Sequence, residues 1–320
     1  MKKFLCLILA IACVLSVAAC GKKDDSTLNF AMPDGAPTLA AFSMMDSEAK
    51  LGAHPIEYEI LSGAANIATT FTSGSCDIAI MPTNVAAKLY NKGVKIKLLS
   101  VNVYGVLYMV GQTPIENYTD LYGKVVYNIG AGGTPDLALK CIFDKLDVEY
   151  VESETPVDGK VALSYVTEAS AAVAKVKQNA NAYGVMGEPV ATKCCAAANA
   201  VVVMNIQEEW KNLNDTEFPQ AGVVVSEKIY SDKNLTEKLF SKLAENPAYI
   251  VANAQKVQET ITKAGSALEA QFNEALLTRC NLKCVKASAA KADLEAYYTA
   301  IKGYDATFIG GDLPDDGFYL

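Results

Sequence analysis

Three residue types that often mark a function are nearly missing from this chain of 320 residues: there is one histidine, His54, one arginine, Arg279, and one tryptophan, Trp210. A Ser-His-Asp hydrolase or a His-ligated zinc enzyme would have to depend on His54. That residue stands before Pro55 at the entry to an alternating run, Ile56 to Ile60, and reads as a loop histidine. Basic excess is missing too. Lys and Arg total 28 against 36 Asp and Glu, a net charge of −8, whereas neutralising nucleic-acid phosphates needs a basic surface. Hydrophobic residues make up 51% and charged residues 20%, which excludes a disordered chain and predicts a substantial core.

The N-terminus reads as a targeting segment. Met1-Lys2-Lys3 is followed by an apolar stretch, Phe4 to Ala19, too short to span a bilayer comfortably, and then by Cys20-Gly21. Small residues before a cysteine resemble a bacterial lipoprotein signal. Residues 1–19 are then removed, Cys20 carries the lipid, and 20–26 form a polar tether. Losing Lys2 and Lys3 takes the net charge from −8 to −10. Of the nine cysteines, Cys76, Cys141, Cys194, Cys195, Cys280 and Cys284 lie beyond Cys20. Neighbouring Cys194-Cys195 make a strained bridge, and Cys280-x-x-x-Cys284 lacks a His or a second Cys pair. No disulfide and no metal site are expected.

What the chain does have is a strand-turn-helix pattern that occurs twice. Met32-Pro33-Asp34-Gly35-Ala36-Pro37-Thr38 follows an apolar strand, 28–31, and precedes an apolar helical run. Gly35 accepts backbone angles other residues resist, and Pro37 suits a first helical turn. Such a turn presents free N–H groups at the positive end of a helix dipole. Gly-x-Pro-x-Leu-Ala returns at Gly133 to Ala138, 98 residues on. Apolar-Met-x-x-x-Val-Ala-x-Lys occurs at Ile80–Lys88 and at Val185–Lys193, 105 residues apart. Two matched units in the same order predict two similar α/β lobes, with the strand-end turns of both facing one cleft.

From Thr27 the reading alternates strand and helix, which predicts largely parallel sheets with helices on their faces. Helices are expected over 39–50, 67–73, 85–91, 135–146, 168–179 and up to 197. Strands are expected over 56–61, 76–81, 94–101, 125–129, 148–151, 163–166, 182–186 and 200–205. Residues 103–111 and 218–225 read as long extended crossings between lobes. Beyond them the chain reads as helical, over 235–246, 247–264, 266–278 and 287–302, with a turn-rich tail docked by Phe318 and Tyr319. The Gly cluster at 130–133 is not G-x-G-x-x-G and is no dinucleotide fingerprint.

Cys20, Met32-Pro33-Asp34-Gly35-Ala36-Pro37, Gly74-x-x-Asp77-Ile78-Ala79, Met81-Pro82-Thr83-Asn84, Gly187-Glu188-Pro189-Val190-Ala191 and the Gly310-to-Tyr319 tail carry a further inference by their order and spacing. The chain resembles the solute-binding lipoproteins of ABC importers, of the sulfonate, taurine, nitrate and thiamine-precursor (SsuA-like) group. The resemblance covers essentially the whole mature chain. It implies the two-lobed type 2 periplasmic-binding-protein fold, in the α/β class. Lobe 1 is then 27–105 with a return at 223–320, and lobe 2 is 106–222. It also implies a lipid-anchored, extracytoplasmic, monomeric carrier that closes on a small solute and docks on a membrane permease with its ATPase. No catalytic residue, cofactor or nucleic-acid partner is expected.

The candidate solute contacts are Asp34, Gly35, Ala36, Pro37 and Thr38 in the first turn and Ser62, Gly63 and Ala64 at a second helix start. Pro82, Thr83, Asn84, Gly132, Gly133, Thr134 and Thr167 sit in the matching turns. Glu188 offers a carboxylate before a proline, and Tyr104 and Tyr165 offer flat faces for stacking. Arg279 is read as lying in C-terminal helices away from these turns, so no guanidinium clamp is expected. Carboxylates Asp34 and Glu188 beside Tyr104 then suit a small neutral or cationic N–H-bearing heterocycle, such as a vitamin precursor. Two other readings are a surface sensor or adhesin on the same fold, and a biosynthetic enzyme of the thiamine-pyrimidine type; the secretion signal and the lone His54 oppose the enzyme.

Overall fold

The computed structural model describes residues 27–48, 50–61 and 64–320. The leader, the lipidation cysteine Cys20, the tether, Ser62 and Gly63 therefore lie outside the described residues, as does the side chain of Ala64. In chain order the strands are β1 (Leu28–Pro33), β2 (Ile56–Leu61), β3 (Ile78–Pro82), β4 (Ile96–Val103), β5 (Leu107–Gly111), β6 (Val125–Ile129), β7 (Tyr150–Glu152), β8 (Val161–Val166), β9 (Ala182–Gly187), β10 (Val201–Asn205), β11 (Ala221–Ser226) and β12 (Leu282–Lys286). The helices are α1 (Ala36–Leu39), α2 (Phe42–Asp46), α3 (Ala64–Thr72), α4 (Thr83–Asn91), α5 (Thr134–Lys145), α6 (Ala169–Gln178), α7 (Val190–Ala198), α8 (Ile206–Asn214), α9 (Glu227–Tyr230), α10 (Lys233–Ala252), α11 (Val257–Lys263), α12 (Glu274–Arg279) and α13 (Lys291–Lys302).

Apolar strands flanked by amphipathic helices assemble into two six-stranded sheets, one per lobe. The first runs β12-β4-β11-β3-β1-β2 and the second β10-β5-β9-β6-β8-β7. Each is mixed, not largely parallel. β2, β1 and β3 are parallel, while β11 runs antiparallel between β3 and β4. In the second lobe β8, β6 and β9 are parallel and β5 runs antiparallel to β9. The two echoed motifs fall at equivalent places. Gly35 and Gly133 follow the central strands β1 and β6, and the Met-containing motifs span β3 into α4 and β9 into α7. His54 precedes β2, at the opposite end of the parallel strands from these turns.

Several expected elements are corrected by contacts from far along the chain. The helix expected over 39–50 is two short helices. The buried Asn246 of α10 sits between them: its Oδ1 accepts from Ser43 N–H at 2.8 Å and its Nδ2 donates to the Leu39 carbonyl at 3.0 Å. Those are the two groups that a continuous helix would pair with each other. The helix expected over 266–278 begins only at Glu274. Residues 266–270 instead give their backbone groups to side chains: Ala267 N–H donates to Asp34 at 2.8 Å, Ala270 N–H to Gln258 at 3.0 Å, and Gln258 donates to the Leu268 carbonyl at 2.9 Å. α10 runs unbroken through Pro247, where a boundary was expected. The edge strand β12 and the helix α8 were not read at all. α8 has a legible start, since Asn205 accepts from Glu208 N–H.

The first crossing is not one extended stretch. Tyr104–Val106 break it, with Gly105 at φ +74°. A Cβ at Gly105 would lie 2.5 Å from Gln207 Cβ and 2.8 Å from the Phe218 ring, so the two crossings can approach only over a glycine. Val106 N–H donates to Gln220 and Leu107 N–H to Gln207. Trp210, Phe218 and Tyr297 stack beside this joint with ring centroids 5.2–5.7 Å apart, joining α8, the second crossing and α13. The tail docks through Phe318 and Tyr319, both buried, and Leu320 N–H donates to the Leu98 carbonyl.

Candidate functional site

Parallel strands end on one side of each sheet and helices start there, and the turn after β3 meets the turn after β6. The lobes touch directly at that place: Thr134 Oγ1, on the first turn of α5, lies 3.4 Å from Asn84 Oδ1 on the first turn of α4. Adjacent tyrosines of α13 sit below. Tyr298 donates to the Thr83 carbonyl at 3.0 Å, and Tyr297 is buried beside it.

Many of the expected contacts are committed to the protein itself. Asp34 accepts from Gly35 N–H, from Ser266 Oγ at 2.5 Å and from Ala267 N–H at 2.8 Å, so its carboxylate fastens the 266–268 segment. Ala36 and Thr38 are buried, and Thr38 donates to the Pro33 carbonyl; Gly35 takes φ +118° at the turn and Pro37 is half-buried. Pro82 ends β3, and Thr83 is fully buried, with its hydroxyl on the Pro219 carbonyl at 2.6 Å. Tyr104 is 2% exposed and has Lys283 Nζ 4.6 Å from its ring centroid, so its face is not open to a solute. Thr167 is exposed.

The Gly-rich turn closes on its own helix. Gly132 N–H donates to Asp136 at 2.8 Å, and Gly133 caps α5. Asp136 is fully buried, with Lys140 at 3.1 Å and the Tyr165 hydroxyl at 2.9 Å. The positive end of α5 is thus already met by a carboxylate. Burial opposes the charge on Lys140, but Tyr165, Glu152 and Asp136 outweigh it and hold the ammonium in its charged form. Burial likewise raises the Tyr165 phenol, which keeps it a donor.

Glu188 is placed as expected, at the end of β9, but its side chain is fully buried. Oε1 accepts from Thr192 Oγ1 at 3.0 Å and Oε2 from Thr192 N–H at 3.0 Å. Its third partner corrects the reading of Arg279. The guanidinium reaches the turn after β9 instead of lying away from it: Nη2 lies 2.5 Å from Glu188 Oε1, and Cζ lies 4.7 Å from the Tyr108 ring centroid. Tyr108 also donates to the Arg279 carbonyl at 3.0 Å. Burial pushes its phenol up to about 12, with Arg279 acting the other way. Arg279 belongs to α12, beside the first sheet, whereas Tyr108 lies in β5 of the second sheet and Glu188 directly follows its β9. Arg279, Tyr108 and Thr192 were all missed. The signal available was one arginine in a chain that otherwise uses lysine.

A groove of about 880 Å³ is lined by neighbours of this pair and not by the pair itself: Pro189, Thr192, Lys193 and Ala196 on one lobe and Asn273 and Leu276 on the other. Leu276 and Arg279 are three apart on α12, hence on one helix face.

No protein-family model and no curated protein sequence matches the chain. Solved structures do. An ABC transporter structure from Parabacteroides distasonis superposes with a TM-score of 0.79 at 20% identity, over 92% of this chain and 99% of that one. The periplasmic aliphatic sulphonate binding protein SsuA from Escherichia coli gives 0.68 at 12% identity, over 93% and 92%. The ligand-binding component of an ABC-type import system from Staphylococcus aureus, solved with zinc bound, gives 0.63 at 12% identity, over 92% and 96%. The fold is that of the two-lobed substrate-binding proteins of ABC transporters.

Proposed function

We propose that this protein is the extracytoplasmic solute-binding lipoprotein of an ABC importer. It captures a small organic solute between its lobes and hands it to a membrane permease, without covalent chemistry and as a lipid-anchored monomer. The observation that carries the reading is the meeting of strand-end turns at the Asn84–Thr134 contact, between two sheets linked along the chain by paired crossings. A solute spanning that gap favours the closed arrangement by the contacts it makes only there. Cys20 and the leader supply the anchor in this reading. The heterocycle expectation loses its support, because Asp34, Glu188 and Tyr104 are engaged within the protein.

The test is a thermal-shift screen of the mature chain against sulfonates, carboxylates, nitrate, pyrimidines, flavins and amino acids. A true solute at a hundred times its Kd is expected to add about 2.7 kcal/mol of stability. A rise of several degrees for one chemical class supports the carrier reading. No shift for any class counts against it and in favour of a sensor or adhesin.

A further inference from the structure

The Arg279–Glu188 pair lies at the pivot of the cleft, not at its rim. Glu188 N–H donates to the Val106 carbonyl at 2.9 Å, and Tyr104 N–H donates to the Asn281 carbonyl at 3.1 Å. Asn281 returns a side-chain bond to the Tyr104 carbonyl. Both members of the pair are therefore tied to the same crossing, 104–106, within two residues of their own positions. Groups beside a hinge axis move little when lobes rotate, so this pair is not a latch that opening would break.

The surroundings of the guanidinium also divide its nitrogens. Nη2 forms the ion pair with Glu188, and both Nε and Nη2 are buried without a hydrogen bond of good geometry among the described residues. The side chain nevertheless keeps 37% exposure, carried by atoms other than Nε and Nη2. Tyr108 covers one face of the planar group. Glu188, fully buried and held by both groups of Thr192, cannot itself reach a solute without releasing these bonds.

Building on the solute-binding reading, we propose that Arg279 is the specificity-determining residue of the cleft, presenting Nη1 to an oxyanion of the solute, and that Glu188 is its positioning residue and not a solute contact. A stacked guanidinium with one nitrogen held by a carboxylate is pre-oriented, so little side-chain freedom is lost on binding. Sulfonate, carboxylate and nitrate share the acceptor chemistry, and the titration separates them.

The experiment is calorimetric titration of the mature chain with ethanesulfonate, taurine, benzoate, nitrate, a neutral pyrimidine and thiamine, repeated on Arg279→Gln, Arg279→Lys and Glu188→Gln. Wild type is expected to bind an oxyanion probe, and Arg279→Gln to bind it about 10–100-fold more weakly, the worth of a hydrogen bond to a charged group. Arg279→Lys keeps the charge without the planar fork and is expected to fall between the two. It decides the matter if the Gln variant does not fold. Glu188→Gln keeps an acceptor for Nη2 but loses the ion pair that orients the guanidinium, so it is expected to bind the oxyanion more weakly than wild type yet more tightly than Arg279→Gln. Equal affinity in wild type and Arg279→Gln would overturn the proposal. So would a wild-type preference for thiamine or the pyrimidine, or a loss in Glu188→Gln as large as in Arg279→Gln; in each of these the carrier reading survives. Silence of wild type toward every oxyanion probe also overturns the proposal, and the carrier reading falls with it only if the wider thermal-shift screen is silent too.

Discussion

Asn246→Leu is expected to cost about 2–6 kcal/mol of unfolding free energy, because it strips partners from two buried backbone groups at about 1–3 kcal/mol each. Leu39 is fully buried and Ser43 nearly so, and their carbonyl and N–H are bridged only through the Asn246 amide. Urea denaturation is the measurement: the midpoint should fall with an unchanged slope. A loss below about 1 kcal/mol would mean that α1 and α2 merge and pair these groups directly, so that Asn246 does not impose the break.

The second large effect is expected at Gly222 in β11. A Cβ there would lie 2.3 Å from the Ser100 carbonyl oxygen and 3.0 Å from Leu98 Cδ1. The nearer neighbour is backbone of the paired strand β4, so relief requires the two strands to separate at the middle of the first sheet. Gly222→Ala should therefore lose more than about 3 kcal/mol, in the range reserved for overpacking in a core, or fail to accumulate as soluble protein. Gly93→Ala is the control. It has positive φ but nothing within 4 Å of an added Cβ, so it should cost only about 1–2 kcal/mol of backbone strain. Similar losses at the two positions would show that conformation, not the close approach of β11 to β4, is what Gly222 provides.

These two positions also mark where the sequence could and could not be read. Strand-end turns were legible because Gly35, Pro37, Gly133 and Pro135 act on their own neighbours, and the echo between them fell at equivalent strands. The break between α1 and α2 was not legible, since Asn246 lies 203 residues from Ser43. The missing helix over 266–273 depends in the same way on Asp34 and Gln258. Site residues divide similarly. Position relative to a strand end was readable for Glu188, Asn84 and Thr134, but availability was not. Asp34, Thr83 and Glu188 spend their polar atoms on residues distant in sequence, and nothing local signals it. Arg279 was misplaced for one reason: it was read as part of a long helical tail, whereas it ends a six-residue helix whose following turn is bolted to the crossing at Tyr104.

The strand order has a consequence for the timing of synthesis. β11 lies between β3 and β4, so the first sheet cannot close until residue 226 has been made, although four of its strands are finished by residue 103. The second sheet needs only residues 107–205, and its first and last strands, β5 and β10, are hydrogen-bonded neighbours. A chain growing from its N-terminus thus completes the later-born lobe before the earlier one, which waits with β3 and β4 unjoined. Nascent chains halted once residues up to 215 have emerged from the ribosome should resist protease across 107–205 while remaining cleavable across 28–103. The reverse pattern would mean that the first lobe closes its sheet in another order and admits β11 afterwards.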